Sequence, residues 1–131
     1  MAIFRQIEPK FVEYMQSPDS HPKLAVVILN WNGKHYLEQF LPFVFASTYP
    51  NMVVYVADNA SSDGSTDWLA AQYPSINIIR NPSNEGFAGG YNMALSHVEE
   101  EFMVLLNSDI EVSPGWIEPV MNMFKQNPDV A

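Results

Sequence analysis

An amide and a carboxylate separated by one serine, Asn107-Ser108-Asp109, follow the apolar run Phe102-Met103-Val104-Leu105-Leu106. At the carboxyl end of a buried strand, such oxygen donors can hold a hard divalent cation. A cation there bridges to a diphosphate and neutralises its charge as it leaves. The same pattern also caps helices in many α/β proteins, so its weight comes from three earlier polar segments. Asp58 follows the apolar run Met52 to Ala57 and lies too early to cap the next helix, a role that suits Ser62, Asp63 or Ser65. A carboxylate beside a crevice can accept a hydrogen bond from an N–H, such as a pyrimidine imide. Farther on, Arg80 to Asn92 contains Gly86, Gly89 and Gly90, which allow close backbone approach and leave N–H groups free for an anion. Asn84 in that stretch can cap a helix, and Asn92 could turn its amide to the same crevice. The fourth segment, Leu29-Asn30-Trp31-Asn32-Gly33, has neither the G-x-G-x-x-G turn of dinucleotide-binding domains nor a P-loop.

The elements that position these residues alternate along the chain. Leu24 to Leu29 is a continuous apolar, β-branched run, as in a strand covered on both faces. Helices are expected over about 34–46, 65–72, 87–98 and 115–126, and further strands over 52–57, 76–79 and 102–106. Pro42 inside the first helical pattern should kink or divide it. Four strands alternating with helices imply a parallel sheet with right-handed crossovers. The expected strand order is 3-2-1-4, with helices on both faces. The order then reverses between the first and fourth strands, where such sheets bind ligands. Residues 1–22 stand apart as an appendage: Phe4, Ile7, Phe11 and Met15 have helical spacing, and 17–22 reads as a linker. Residues 23–131 form the domain.

Composition narrows the partners. With 131 residues, 47% of them hydrophobic and 16% charged, the chain has globular composition. A net charge of −9 argues against nucleic acid, so an anionic ligand must be met by a metal, helix N-termini or a few local cations. There are no cysteines, which excludes thiolate metal sites and fits a reducing compartment. No apolar run approaches the roughly 18 residues of a membrane span, and charged residues interrupt the N-terminus where a signal peptide would be apolar. His21, His35 and His97 have no ligand-like spacing, and Trp31 and Trp68 read as packing residues, although Trp31 could border a base.

Taken in order, the segments Val27 to Gly33, Asp58 to Ser65, Asn84 to Ala88 with Asn92, and Leu105 to Asp109 resemble the N-terminal half of a family-2, rhamnosyltransferase-like glycosyltransferase with the GT-A fold. The resemblance covers about Lys23 to Ala131. It implies a Rossmann-like nucleotide-sugar-binding fold, a UDP- or dTDP-linked donor and Mg²⁺ or Mn²⁺. By that resemblance Asp58 meets the pyrimidine, with Asn30 lining the same pocket. Asn84, Gly86 and Asn92 lie towards the diphosphate and donor sugar. Asp109 takes the place of the last aspartate of the family's D-x-D motif, as the metal ligand, and Asn107 the place of the first. The family inverts the anomeric centre with an Asp or Glu base supplied farther along, and Glu111 and Glu118 follow the metal motif too closely for that role. The chain is therefore expected to be a truncated half: an enzyme of hexosyltransferase type that binds donor without turning over. A non-catalytic binding or assembly module with the same fold is the alternative, and a nucleotidyltransferase is disfavoured by the missing glycine-rich loop. The acceptor implied is a glycan or lipid-linked carrier in polysaccharide biosynthesis, in the cytoplasm or at the inner face of the cell membrane. Truncation is expected to leave the fourth strand unpaired, giving a homodimer or larger assembly.

Overall fold

The computed structural model describes residues 1–5 and 21–127. Five strands and four helices are present among them: β1 Ala2–Arg5, β2 Leu24–Asn30, α1 Lys34–Phe45, β3 Met52–Asp58, α2 Ser65–Gln72, β4 Asn77–Arg80, α3 Gly86–Leu95, β5 Phe102–Asn107 and α4 Glu118–Gln126. One sheet contains all five strands in the order β1-β5-β2-β3-β4. The four strands expected from sequence are mutually parallel and stand in the expected 3-2-1-4 order.

Alternation along the central strands divides the core into two layers. Leu24, Val26 and Ile28 of β2 face one layer with Val54 and Val56 of β3 and Phe102, Val104 and Leu106 of β5. Helices α1, α2 and α4 cover that face through residues such as Leu37, Leu41, Leu69, Met121 and Phe124. Ala25, Val27, Ala57 and Met103 point the other way, onto Tyr91 and Ala94 of α3. Neighbouring residues of β2 are thus buried on opposite faces, which is why its sequence shows no polar alternation. Each large aliphatic side chain buried in this way stabilises the fold by roughly 1.5–3 kcal/mol.

Three expectations change. Ala2–Arg5 is a strand that pairs antiparallel with β5, Ala2 opposite Leu105 and Arg5 opposite Phe102. The fourth strand is therefore not left unpaired, and the helical spacing that began at Phe4 does not describe that residue. Ile7, Phe11, Met15 and most of the expected linker lie outside the described residues, as do 128–131. Second, α1 runs unbroken through Pro42. The carbonyl that loses its partner belongs to Glu38, an exposed residue, while Leu41 and Val44 hold that turn of the helix on the core. Third, α4 starts at Glu118 with Pro119 in its first turn, and 114–117 form turns and bends rather than helix.

Candidate functional site

Strand register places the polar residues on one edge. Asn30 is opposite Asp58, Asp58 is opposite Arg80, and Leu29 is opposite Asn107. The carboxyl ends of β2, β3, β4 and β5 therefore finish together. The loops that leave them are tied to one another.

Asn30 and Asp58 form the floor. Asn30 is fully buried and Asp58 is 3% exposed. Asn30 Nδ2 lies 2.9 Å from Asp58 Oδ1, 2.9 Å from Ser65 Oγ and 3.2 Å from Ser61 Oγ, and donates into that cluster. The other carboxylate oxygen, Asp58 Oδ2, accepts from the Ser61 N–H at 2.9 Å. That bond closes a turn through Ala60, whose φ of 56° lies in the left-handed region, where a non-glycine residue costs about 1–2 kcal/mol. Asn30 Oδ1 is buried without a hydrogen-bond partner. It lies beside Gly33, where an added Cβ would come within 2.7 Å of it.

Above this floor the loops after β2 and β3 are zipped together. The Asn32 N–H donates to Ser61 Oγ at 2.8 Å, and the Ser62 N–H donates to Asn32 Oδ1 at 2.8 Å. Asp63 joins the first turns of two helices, accepting from the Lys34 N–H at 2.8 Å and the Ser65 N–H at 3.0 Å. Burial pushes the Asp63 carboxyl up, but the bonds from Ser65 and Lys34 outweigh it and leave its pKa below the usual value.

Two adjoining recesses open over these loops and share Leu29 and Phe87. One, of about 340 Å³, is lined by Leu29, Trp31, Asn59, Asn84, Gly86 and Phe87. The other, of about 190 Å³, is lined by Leu29, Tyr36, Phe87, Asn107, Ser108 and Asp109. The expected site residues thus separate into two tiers. Asn84, Gly86, Asn107 and Asp109 line the recesses, whereas Asn30 and Asp58 lie beneath the loops. Asn92 is exposed on α3 and lines neither recess. Asn84 Oδ1 accepts from the Gly86 N–H at 2.9 Å, which starts α3 at a left-handed glycine with φ 71°.

Sequence reasoning missed two groups. Trp31, read as a packing residue that could border a base, is 58% exposed at the mouth of the larger recess, and Phe87, given no role, is 63% exposed between the two. The buried amides of Asn59 and Asn81 also had no assigned role. An asparagine directly after each of two strands was the signal available in sequence.

The donor set at Asp109 suits a hard cation. One carboxylate, the Asn107 amide and the Ser108 hydroxyl offer only oxygen as ligands at an open recess. No cluster of three or more His, Cys, Asp or Glu side chains placed to hold a metal exists among the described residues. Mg²⁺ and similar ions are commonly bound through one or two carboxylates, with water and substrate phosphates completing the shell. The residues present fit a cation shared with a diphosphate.

A further recess of about 350 Å³ lies elsewhere, among Lys23, Tyr55, His97, Glu99 and Glu100. Its buried carboxylate, Glu100, is already matched by Lys23 Nζ at 3.0 Å and the Tyr55 hydroxyl at 3.0 Å. Burial raises the Tyr55 pKa to about 12, and its hydrogen bond to Glu100 adds to the shift. This cluster joins the start of β2 to β3 and to the turn before β5.

A mainly parallel sheet with oxygen donors at its reversal point defines a Rossmann-like nucleotide-binding class. Within that class, residues 25–131 match the model of Glycosyl transferase family 2, and the chain belongs to that family. A glycosyltransferase of Haemophilus influenzae is 25% identical over 113 residues, covering 81% of this chain and 34% of its own length. The N-acetylglucosaminyl-diphospho-decaprenol L-rhamnosyltransferase of Mycobacterium tuberculosis is 23% identical over 116 residues, covering 80% of this chain and 38% of its own. The chain thus spans little more than a third of the length of these relatives. Among solved structures, a Pyrobaculum calidifontis mannosyltransferase in complex with GDP-Man and Mn²⁺ aligns with a TM-score of 0.68 at 23% identity, over 86% of this chain and 36% of that one. S. aureus TarS 1–349 in complex with UDP aligns with a TM-score of 0.72 at 19% identity, over 81% and 33%. These likenesses establish the GT-A fold.

Proposed function

We propose that this chain is the donor-binding part of an inverting glycosyltransferase that takes a UDP- or dTDP-linked hexose. The observation that carries the reading is the two-tier crevice: Asp58 buried at the end of β3 and Asp109 exposed at the end of β5. The base lies over the Asn30–Trp31 loop, with Asp58 beneath it. Each carboxylate oxygen has two acceptor positions, so the bonds from Asn30 and Ser61 leave one position on each Asp58 oxygen for a base N–H. Asn84, in the loop before α3, and Gly86, its first residue, face the diphosphate. Asp109, helped by Asn107, would hold Mg²⁺ or Mn²⁺, which neutralises charge on the departing diphosphate.

In transfer, an acceptor hydroxyl bonds to the anomeric carbon as the sugar–diphosphate C–O bond breaks, and the hydroxyl proton passes to a base. No residue of this chain is assigned that base. Glu118 accepts from the Thr48 hydroxyl beside α4, and Glu111 is exposed without a bond to the site residues. The acceptor is a glycan or lipid-linked carrier in polysaccharide assembly, reached from the cytoplasm or the inner membrane face. No helix among the described residues is long and apolar enough to cross a membrane.

Guanine also presents an N–H to a carboxylate, so GDP is the competitor that matters. Calorimetric titration with UDP, dTDP and GDP in the presence of Mn²⁺ tests the reading. The expected result is tighter binding of the pyrimidine diphosphates. Preference for GDP would overturn the donor assignment, and failure of all three to bind would overturn the site.

A further inference from the structure

Asn59, one residue past β3, is 2% exposed and uses every polar atom of its side chain. Its Oδ1 accepts from Asn81 Nδ2 at 2.6 Å, while Nδ2 donates to the Gly86 carbonyl at 3.0 Å and to Asn84 Oδ1 at 3.3 Å. Its backbone N–H donates to the Asn30 carbonyl at 2.8 Å. Asn81, itself 5% exposed, also donates to the Gly90 carbonyl at 3.1 Å, and its N–H reaches the Asp58 carbonyl at 2.8 Å. Three elements therefore meet at one amide: the end of β3, the end of β4 and the start of α3.

The approach depends on a missing Cβ. At Gly90, an added Cβ would lie 2.5 Å from Asn59 Nδ2 and 2.6 Å from its Oδ1. Gly86 supplies the second half of the joint. Its carbonyl is held by Asn59 and its N–H by Asn84, so the peptide planes that open α3 have a fixed orientation relative to β3.

We infer that Asn59 is a positioning residue that sets the Asn84–Gly86 turn against the Asp58 end of the crevice. This rests on the donor-binding reading. Base and diphosphate are joined covalently in the donor, so the separation between the walls that receive them must be fixed. Asn59 bonds directly to the diphosphate wall and adjoins the base floor in sequence. A carboxylate at this position could not donate to the Gly86 carbonyl, and it would face two oxygens instead of bonding to them.

The test is calorimetric titration of the full chain with Mn²⁺, comparing UDP, dTDP and GDP each with its parent nucleoside. Asn59→Asp and the uncharged Asn59→Ser should both weaken the preferred diphosphate by about tenfold while leaving its nucleoside within about twofold. Asn81→Ser, at a position set against neither base nor diphosphate, removes the donor that fixes Asn59 Oδ1. It should give the same split if an Asn59 variant fails to fold. Equal weakening of nucleoside and diphosphate marks a merely structural role and overturns the inference, as does no change. A wild-type chain that binds no diphosphate more tightly than its nucleoside overturns the donor-binding reading and this inference with it.

Discussion

Asn30 and Asp58 stand directly opposite each other at the last paired position of β2 and β3, and the Asn30 amide bonds the Asp58 carboxylate at 2.9 Å. The pair locks the two central strand ends and, through Ser61 and Ser65, the loop that follows β3. Asn30→Asp places two carboxylates in contact, so one must hold a proton and its folded pKa rises. A raised folded pKa favours the fold at low pH, with the benefit lost as pH rises through it. The variant should therefore be destabilised at pH 7 and recover as pH falls towards about 5. Urea unfolding across that range checks it; pH-independent loss would contradict the pairing.

Gly90 permits the contact between α3 and Asn59. Gly90→Ala should lower stability by about 1–3 kcal/mol, because its Cβ would meet the Asn59 amide and Leu29 Cδ1, both inside 3 Å. On an exposed helix, alanine is instead favoured over glycine by about 1 kcal/mol. Chemical denaturation that finds the variant as stable as wild type would mean α3 sits farther from β3.

β1 covers the outer edge of β5, and paired edges do not template further strands. Deleting residues 1–5 bares that edge. The shortened chain is expected to self-associate more than the intact one at equal concentration. Light scattering measures this directly, and identical masses for both chains would show that β1 does not protect the edge.

At Glu100, burial pushes the pKa up, but the bonds from Lys23 and Tyr55 outweigh it and leave it below the usual carboxylate value. A depressed folded pKa stabilises the fold above the unfolded value, and that stability is lost as pH falls from about 4.5 through the folded pKa. Glu100→Gln should therefore cost stability at pH 7 and converge on wild type in acid. Thermal unfolding at pH 7 and below the folded pKa compares them, and a constant gap would refute the ion-pair account.

Sheet order and the presence of helices on both faces were legible because the β2 run is apolar on both faces and apolar strand runs alternate with helical stretches. The polar strand ends were legible from residue type, and their spacing supplied the family resemblance. Burial of those ends was not. Asp58 alone in sequence looks wholly free for a ligand, whereas one acceptor position on each of its oxygens is already taken, by Asn30, 28 residues away, and by the Ser61 N–H. Trp31 looked like packing because size suggests burial, yet a left-handed Asn32, with φ 49°, directs the loop back over Ser61 and leaves the indole outside. Strand β1 was illegible because four residues carry too little pattern to outweigh a helical spacing around them.

The proposed function places a metal-assisted nucleotide-sugar site at the carboxyl ends of β2, β3 and β5. Thermal unfolding with saturating UDP or dTDP, with and without Mn²⁺, for wild type and Asp109→Ala, tests it most directly. Ligand at about 100 times its dissociation constant stabilises by about 2.7 kcal/mol, a shift of several degrees for a domain of this size. A shift enlarged by Mn²⁺ in wild type, with the Mn²⁺ increment absent in Asp109→Ala, is the expected result. An Mn²⁺ increment of equal size in Asp109→Ala, or no shift in folded wild type, would contradict the site.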